Sequence, residues 1–532
     1  MSSASDPARA AILEGATCLG VEFGSTRIKA CLVGPDHRPI ATGSHAWEGE
    51  LVAGNWTYSL SEVWSGLQDA VADLFTQVER RYDVRPRGVR ALGVSAMMHG
   101  YLALDGECVP LVPFRSWRNT TTARAAAELT ERLGHNIPLR WSIAHLYQAL
   151  LDGEPHVSRI ESLTTLAGFV HRGLSGEHVL GVGDASGMFP IDPATGGYDA
   201  RMLEVADGLL ADHGWTRHLL EVLPAVLPAG REAGRLTAEG AALLDPSGSL
   251  QPGIPLCPPE GDAGTGMVAT HSISPRTGNV SVGTSVFAMV VLDEPMTEVH
   301  PEIDVVTTPA GAPVAMVHCN NGAHELSEWT SLFHRFAVLA GSDADLDTVF
   351  GLLLREALDG EPDAGGVVAY NFLTGEPVAG GLVAGRPIVI RTPDSTLSLA
   401  NLARALIFGI FGALTLGMQV LWQAGAKLDV LYAHGGLFRT EAVAQRLLAA
   451  ALETPVAVGR SASEGGAWGV AVLAAFLCSE TSDLERFLSD EVFADDASDP
   501  VAPDAEDVRG YQEFMKRYTS GIALQQVAVD VV

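Results

Sequence analysis

Two stretches of the sequence place a glycine and two hydroxyl side chains between β-rich runs, a pattern that predicts a strand, a tight turn and a returning strand. They read V-E-F-G-S-T-R-I-K at 21 to 29 and V-S-V-G-T-S-V-F-A at 280 to 288. We expect each glycine to adopt a backbone conformation closed to other residues and to let a ligand approach. The groups suited to phosphate oxygens are Gly24, Ser25, Thr26, Gly283, Thr284 and Ser285.

One such turn is equally typical of an ordinary hairpin, but its repetition in both halves favours a duplicated domain that grips a phosphate chain between its halves. The first copy also carries Lys29. Lysine is scarce in this chain, since Lys29, Lys427 and Lys516 are the only lysines among 34 basic residues. A lysine beside such a turn, in a chain that otherwise uses arginine, singles out Lys29.

The composition is that of a folded enzyme of two domains. A chain of 532 residues is too long for one core, and 47% hydrophobic with 18% charged residues excludes disorder. The net charge of -30 argues against nucleic acid or an acidic membrane as partner. Six widely spaced cysteines indicate neither a disulfide framework nor a zinc site. The N-terminus lacks the charged segment followed by an apolar segment that is typical of a signal peptide. We therefore expect a cytoplasmic protein.

The apolar run at 405 to 422 approaches the length of a membrane span, but Gln419 lies inside it and Arg404 precedes it. We expect a buried core helix.

The first half is predicted to alternate strands and helices. A helix at 59 to 75, capped by Ser61, precedes a strand at 89 to 96 that ends in Met97-Met98-His99-Gly100. Ends of strands in open α/β sheets are where ligands bind. Met98 and His99 are therefore candidate ligand contacts, with buried core as the alternative interpretation.

The Pro-rich segment at 251 to 262 is the best candidate for a domain boundary, which predicts domains at 1–265 and 266–532. The second half then repeats the plan, with helices at 323 to 340 and 400 to 424, a strand at 428 to 433 and the turn His434-Gly435-Gly436. A last helix is predicted at 506 to 524.

Asp262 follows the Pro-rich segment and opens a predicted helix. Its carboxylate could serve as a general base beside the N–H groups of that helix. Because Asp is also favoured at helix N-caps, a plain cap is the competing interpretation.

Over nearly its whole length the sequence resembles the FGGY carbohydrate kinases, and within them the xylulose and ribulose kinases. The resemblance lies in the motifs Glu22-Phe23-Gly24-Ser25-Thr26 with Lys29, Ser281 to Ser285, Glu260-Gly261-Asp262-Ala263-Gly264, Met97 to Gly100, Trp117-Arg118-Asn119, Tyr370 to Glu376, and His434-Gly435-Gly436-Leu437 followed by Gly465 and Gly466.

The resemblance implies an α/β fold of two ribonuclease H-like domains, of the actin and hexokinase ATPase type, with a cleft between them. It implies ATP as phosphate donor, Mg²⁺ near Glu22 and Asp262, and Asp262 as the catalytic base. It implies substrate contacts from Met98, His99, Trp117, Arg118 and Asn119, with a core aromatic as the alternative role of Trp117. The implied ATP contacts are Gly24, Ser25, Thr26, Lys29, Gly283, Thr284, Ser285, Gly435, Gly436 and Gly466.

The sequence departs from the family pattern at four positions: Glu22 stands for Asp, Asn119 for a substrate-binding Asp, His145 for Lys and Phe408 for Glu. These departures leave the identity of the sugar open. We expect a ketopentose, L-ribulose or D-xylulose, and leave room for a homodimer. The competing function is an actin-like or chaperone-like ATPase without a sugar, which would have no use for His99 or for Trp117-Arg118-Asn119.

Overall fold

The computed structural model describes residues 6–440, 442–459, 465–495 and 499–532. Helices, numbered in chain order, are α1 Pro7–Leu13, α2 Leu60–Tyr82, α3 Ala123–Leu133, α4 Ser142–Leu151, α5 Leu166–Ser175, α6 Val182–Ala185, α7 Ala200–Ala211, α8 Leu219–Val222, α9 Ala238–Leu244, α10 Asp262–Ala269, α11 His324–Leu339, α12 Leu346–Glu356, α13 Leu399–Gln423, α14 Val443–Leu452, α15 Gly465–Leu477, α16 Leu484–Phe487, α17 Ala505–Gly521 and α18 Ala523–Val531.

Strands are β1 Cys18–Phe23, β2 Arg27–Val33, β3 Pro39–Ala46, β4 Glu50–Val52, β5 Asn55–Thr57, β6 Ala91–Ala96, β7 Leu102–Leu104, β8 Ser162–Thr164, β9 Val179–Gly181, β10 Ala225–Leu227, β11 Glu260–Gly261, β12 Thr277–Val282, β13 Val286–Val291, β14 Ile303–Thr307, β15 Pro313–Cys319, β16 Val367–Asn371, β17 Pro387–Arg391, β18 Val430–His434 and β19 Val456–Ala457.

Two sheets of the same topology organise the molecule. The first has the order β3-β2-β1-β6-β11, and the second has β15-β13-β12-β18-β19 with β14 added outside β15. In each, three antiparallel strands are followed by two parallel ones. The chain thus forms two α/β domains of the ribonuclease H-like type, as the resemblance implied.

The parallel strands align their carboxyl ends at one edge of each sheet. Phe23 pairs with Ala96 and Ala96 with Gly261, so the residues that follow β1, β6 and β11 meet at one edge. In the second sheet Ser281 pairs with His434, which brings together the residues that follow β12 and β18. These edges carry the motifs found in the sequence.

Helix α15, from the far end of the chain, packs on the first sheet against β1 and β6. Two strand glycines permit this close approach. A Cβ at Gly20 would lie 2.2 Å from the carbonyl oxygen of Ala467, and one at Gly93 would lie 2.7 Å from that of Val470. The first sheet is therefore covered by residues encoded almost 450 positions after β1 begins.

Most predicted elements are present, with two corrections. Helix α2 begins at Leu60 and its N-cap is Ser59, whose Oγ accepts the Glu62 N–H, so the cap predicted at Ser61 is wrong. The Pro-rich segment at 251 to 262 is not a linker. It runs along β6, where the Leu92 N–H donates to Pro255 O at 3.0 Å, and it ends in β11. The division at residue 265 stays a prediction.

The apolar segment at 405 to 422 lies in α13. This helix is long and apolar enough to cross a membrane, but 78% of its most apolar window is buried inside the protein. It packs against β15, β16 and α12, as expected of a core helix.

Candidate functional site

The turn between β1 and β2 is held by hydrogen bonds to its carbonyl oxygens. Trp47 Nε1–H donates to Gly24 O at 2.7 Å, Tyr58 O–H donates to Ser25 O at 2.9 Å and the Trp47 N–H donates to Thr26 O at 3.2 Å. In the part of the chain that the structure describes, the amides of Ser25 and Thr26 make no intramolecular hydrogen bond. Both residues are exposed, so these donors can face an anion.

The unusual backbone conformations predicted for the two turn glycines are wrong. Neither Gly24 nor Gly283 has a positive φ. A Cβ at Gly24 would be crowded by Arg27 O at 3.2 Å, whereas one at Gly283 would meet nothing closer than Ser285 O at 4.0 Å. Glycine therefore avoids a tight backbone contact in the first turn and leaves open space at the second.

Glu22 and Lys29 face each other across the first hairpin. They are directly paired between β1 and β2, and both are half-buried. Burial raises the pKa of the Glu22 carboxyl, the Lys29 charge lowers it and the Asp262 charge raises it. Glu22 Oε2 also accepts the N–H of Ala467 at 3.2 Å, in the first turn of α15. Carboxylate and ammonium thus lie together beside the turn.

Gly466, predicted to contact ATP, lies against Glu22. A Cβ there would come within 2.5 Å of Glu22 Oε1 and 2.8 Å of Thr265 Oγ1. The structure therefore places this glycine with the first turn, where any side chain would displace the carboxylate.

Asp262 is the first residue of α10, at the carboxyl end of β11. The helix N-cap is Gly261, and Asp262 Oδ1 instead accepts the N–H of Met98 at 3.0 Å, from the segment that follows β6. The interpretation as a plain helix cap therefore does not fit its position. Burial raises the pKa of the Asp262 carboxyl, while the hydrogen bond from Met98 lowers it.

Two further carboxyl groups lie behind Asp262. Glu260 accepts the N–H groups of Gly183 at 3.3 Å and Asp184 at 2.9 Å, and Asp184 accepts the Thr165 hydroxyl at 2.6 Å. Both carboxyls are fully buried. Burial raises both pKa values, and the Asp184 charge raises that of Glu260 further. No local pattern predicts this pair, since the two residues are 76 positions apart.

Met98 and His99 lie just after β6, beside Asp262. His99 has φ 72° and is buried, and its ring stacks on Trp141 with centroids 6.4 Å apart. Burial, followed by the Arg140 charge, lowers the pKa of its imidazole well below the usual range, so it is neutral. Met98 is also buried, with its side chain over Gly261.

The segment Trp117-Arg118-Asn119 is anchored on β5. Asn119 is buried, and its amide group accepts from the Trp56 N–H at 2.8 Å and donates to Trp56 O at 2.8 Å and to Ser116 O at 2.9 Å. The Arg118 guanidinium lies 3.6 Å from the centre of the Trp56 ring. Trp117 is exposed and not a core aromatic. Asn119 thus fixes this segment through the backbone, and its predicted contact with substrate stays a prediction.

The second phosphate turn is held by backbone donors. The Gly322 N–H donates to Thr284 O at 2.7 Å and the Ala323 N–H to Gly283 O at 2.8 Å, so the segment before α11 lies directly on the turn. Contact is so close that a Cβ at Gly322 would be 2.2 Å from Gly283 O. Gly283 and Thr284 are exposed and Ser285 is half-buried.

Glu376, which ends the Tyr370–Glu376 motif, supports this arrangement. Its fully buried carboxylate accepts the Asn320 N–H at 3.3 Å, the Asn321 N–H at 3.2 Å and Asn321 Nδ2–H at 2.9 Å. Burial raises its pKa to about 7. The family-like motif around it was visible in the sequence, but its contact with residues 55 positions earlier was not.

The glycines of the adenosine motif lie next to the second turn. Gly435 follows β18 with φ 110°, and a Cβ there would lie 2.4 Å from Val282 O. Gly435 and Gly436 are both exposed. Across the described residues, no hydrogen bond or ion pair joins this group to the first turn.

Two of the departures from the family pattern lie in packed interior. His145 in α4 is fully buried against Tyr101, and burial lowers its pKa to about 3. Phe408 in α13 packs its ring edge-on against Tyr511 and Phe514, with centroids 4.8 and 5.2 Å away. Neither contributes a charge to the site.

Known proteins match the chain in both halves. Residues 17–268 match the N-terminal domain and residues 278–478 the C-terminal domain of the FGGY family of carbohydrate kinases. A xylulose kinase of Haemophilus influenzae is 22% identical over 522 residues, covering 95% of this chain and 99% of that protein.

Solved structures of similar fold include a xylulose kinase from Rhodospirillum rubrum, with a TM-score of 0.75, 20% identity and coverage of 96% of this chain and 99% of that one. A gluconate kinase from Lactobacillus acidophilus has a TM-score of 0.77 at 17% identity, with coverage of 96% and 98%. With both domains matched in order, the chain belongs to the FGGY family of carbohydrate kinases and is an ATP-dependent sugar kinase.

Proposed function

We propose that this kinase transfers the γ-phosphoryl group of ATP to a hydroxyl of a ketopentose, L-ribulose or D-xylulose, with Asp262 as general base. The observation that carries the proposal is the position of the Asp262 carboxylate. It is held by the Met98 N–H at the edge of the first sheet where β1 ends in the phosphate turn. The proposed general base and the phosphate contacts of the first turn therefore lie at the same edge of the first sheet.

In the proposed reaction the sugar hydroxyl oxygen attacks the γ-phosphorus while the bond to the bridging oxygen of ADP breaks. The hydroxyl proton passes to a carboxylate oxygen of Asp262. Burial raises the pKa of the Asp262 carboxyl and so makes it a stronger base than an exposed aspartate, while the hydrogen bond from the Met98 N–H stabilises its anion and lowers the pKa.

The phosphate contacts are assigned to both turns. Gly24, Ser25, Thr26 and Lys29 would bind from the first domain, and Gly283, Thr284, Ser285, Gly435 and Gly436 from the second, with Gly466 shaping the pocket of Glu22. Donors in two domains imply that the cleft closes on the nucleotide. The domain limits 1–265 and 266–532 are part of the proposal.

Two carboxylates fit a magnesium ion that keeps most of its water. Glu22 and Asp262 are half-buried and near enough for the charge of Asp262 to raise the pKa of Glu22. No group of three or more His, Cys, Asp or Glu that could hold a metal occurs among the described residues. Magnesium prefers such sparse protein ligation when phosphate oxygens complete its shell. When bound, it would neutralise charge on the phosphates.

We assign the sugar to a site formed by the buried Met98 and the neutral, buried His99. The more exposed Trp117 and Arg118 would border this site, and the buried Asn119 holds their segment. A neutral imidazole can both donate and accept, which suits a hydroxyl. We further propose that the enzyme acts in the cytoplasm on a free sugar, without nucleic acid or membrane, and as a homodimer.

The first test is a panel of ketoses, polyols and sugar acids assayed for ADP release. L-Ribulose or D-xylulose should be turned over fastest. Faster turnover of glycerol, a hexose or gluconate than of both pentuloses would refute the assignment. A chaperone-like or filament ATPase would instead show hydrolysis that no sugar changes.

The second test is Asp262→Asn, which keeps the size of the side chain but removes its basicity. Turnover should fall on the order of 10²- to 10⁴-fold while nucleotide affinity changes little. A variant within a few-fold of the parent would place the base elsewhere. Asp184→Asn is the matched control, because its carboxyl is buried behind the site and takes no proton in the proposal.

A further inference from the structure

One row of side chains crosses the second sheet just before its carboxyl edge. His318 of β15 is paired in register with Phe287 of β13. Phe287 is paired with Ser281 of β12, which is paired with His434 of β18. All four residues are half-buried. Adjacent positions on these strands point into the second core instead and are buried: Val282, Val286 and Cys319. Phe287 packs on the hydrophobic cluster that contains α10 and α15, so the row faces the first domain.

The order of the strands gives the two ends of this row different neighbours. β18 is followed by Gly435 of the adenosine motif, the second phosphate turn joins β12 to β13, and β15 lies beyond β13. Neighbouring strands are about 4.8 Å apart, so three spacings place the β15 end about 14 Å from β18. With the nucleoside at β18 and the phosphates at the turn, as proposed above, the acceptor belongs at the β15 end.

The β15 end of the row is tied to the first domain beside the candidate sugar contacts. The Gly100 N–H donates to Arg140 O at 3.1 Å, and the Arg140 guanidinium forms an ion pair with Asp304 of β14. Asp304 is paired in register with Met316, which lies two positions before His318 and on the same face of β15. His318 and the segment after β6 therefore approach each other from different domains.

Further hydrogen bonds join the two domains at this side. The Thr307 N–H donates to Ser186 Oγ at 3.1 Å and the Thr307 hydroxyl to Val182 O at 3.0 Å. Asn136 Nδ2–H donates to Ile303 O at 2.8 Å. In the described part of the chain, no hydrogen bond or ion pair joins the adenosine glycines to the first turn. The β15 end is thus fixed to the first domain, and the nucleotide end is not joined in this way.

His318 carries an imidazole whose nitrogens are available to a ligand. Burial, followed by the Arg140 charge, lowers the pKa of this imidazole to about 4, so the ring is neutral. Among the described residues the ring makes no hydrogen bond. The pKa of His99 is lowered by burial, by Arg140 and also by His318, so the two rings lie close enough to interact. A neutral imidazole both donates and accepts, which suits a hydroxyl, whereas a phosphate oxygen only accepts.

We propose that His318 is a sugar-binding residue supplied by the second domain, which lies opposite His99 and selects the acceptor. The proposal rests on the sugar kinase reaction proposed above. The His318 ring would hydrogen-bond one hydroxyl of the sugar, and the sugar would lie between two neutral imidazoles with its attacking hydroxyl toward Asp262. A site built to hydrogen-bond a hydroxyl discriminates against an acceptor that lacks it, because a buried polar group is then left unpaired.

The first test is a pair of substitutions at this position. His318→Phe keeps a planar ring but removes both nitrogens, and His318→Gln keeps a donor and an acceptor. With the sugar that the parent turns over fastest, kcat/KM should fall about ten- to a hundredfold in His318→Phe, mainly through KM, and much less in His318→Gln. ADP affinity and sugar-independent ATP hydrolysis should match the parent in both. His178→Phe, at another half-buried imidazole whose pKa is lowered by burial, is the matched control and should keep the parental KM for sugar.

Deoxy analogues of that sugar locate the contact. The analogue that lacks the hydroxyl bound by His318 should be a poor substrate for the parent, and His318→Phe should use it about as well as the complete sugar. If every analogue keeps its parental disadvantage in His318→Phe, or if ADP affinity falls as much as sugar affinity, His318 does not select the sugar. Should His318→Phe fail to fold, as its melting curve would show, His318→Asn with the same analogues decides. A parent whose ADP release no sugar changes would overturn the proposed function itself, and this proposal with it.

Discussion

The turns between β1 and β2 and between β12 and β13 occupy the same place in their sheets but are held by different chemistry. Side chains hold the first turn, where Trp47 and Tyr58 bind its carbonyl oxygens, and its strands pair Glu22 with Lys29. The second turn is held by backbone amides, and the corresponding pair on its strands is Ser281 with Phe287. The two hairpins therefore have the same place in their sheets but different charge, because the pair Glu22 and Lys29 belongs to the first hairpin.

This difference leads to unequal roles. The first turn combines phosphate donors with an ammonium group, a carboxylate and the nearby Asp262, so it can act on charge that changes during the reaction. The second turn offers exposed hydroxyl and amide groups without a charged side chain in register. We expect the first turn to affect turnover and the second to affect mainly nucleotide binding.

The largest effect is expected from Lys29→Met. If Lys29 contacts the transferring phosphoryl group as proposed, removing its positive charge should lower kcat on the order of 10²- to 10³-fold, as loss of one preorganised electrostatic contact does. Phe287→Leu changes the matching position of the second hairpin and should stay within a few-fold. Steady-state kinetics with saturating sugar measures both. Equal effects would erase the proposed division between the turns.

A smaller effect is expected from removing one hydroxyl at each turn. Thr26→Val and Thr284→Val each lose a hydrogen bond to a charged phosphate, which is typically about 1.5–3 kcal/mol, or about ten- to more than a hundredfold in nucleotide affinity. Calorimetric titration of ADP should show weaker binding for both. Turnover at saturating ATP should fall further for Thr26→Val, and the reverse order would show that the second turn carries the catalytic contacts.

The smallest effect is expected from pH on the stability of the protein, because the Glu376 carboxyl, which holds the segment beside the second turn, can gain or lose a proton. Glu376 has its pKa raised by burial to about 7, so the folded protein holds this proton more tightly than the unfolded chain. Its contribution to the free energy of unfolding is present at low pH and is lost as pH rises through about 7. Buried Asp184 and Glu260 act in the same direction.

The melting temperature should therefore fall by a few degrees between about pH 4.5, where the unfolded carboxyls begin to ionise, and about pH 8, where the folded ones have lost their protons too. Glu376→Gln should show a smaller fall, and Glu204→Gln, exposed on α7, should show the parental fall. An unchanged slope in Glu376→Gln would indicate that the carboxylate at this position is not protonated in the folded protein.

Much of the fold could be predicted from the sequence because local patterns determine it. Alternation of apolar strands with amphipathic helices located most elements, including α11, α13 and β18 within a few residues. The cap of α2 was misplaced by two residues because Ser59 and Ser61 are both serines at the start of the helical pattern. The Pro-rich segment misled for a different reason, since an edge segment tolerates proline as readily as a linker does.

The site was predictable where contacts are close in sequence and not where they are distant. The strand–turn motifs and Asp262 could be singled out because each lies at the end of one element, and their roles stay predictions. The hydrogen bonds of Trp47, Tyr58 and Glu376 could not be predicted, because nothing in their local sequence indicates which carbonyl oxygen or amide N–H they reach. The role of Asn119 beneath Trp56 also depends on a contact across 63 positions.

The return of α15 to the first sheet has a consequence for biosynthesis. Strands β1 and β6 leave the ribosome early, but the helix that covers Gly20 and Gly93 follows only at residues 465 to 477. Until then the nascent chain carries an uncovered apolar sheet face while the whole second domain is being made. We expect truncated forms that lack α15 to aggregate, because their exposed apolar surface is available for intermolecular contact.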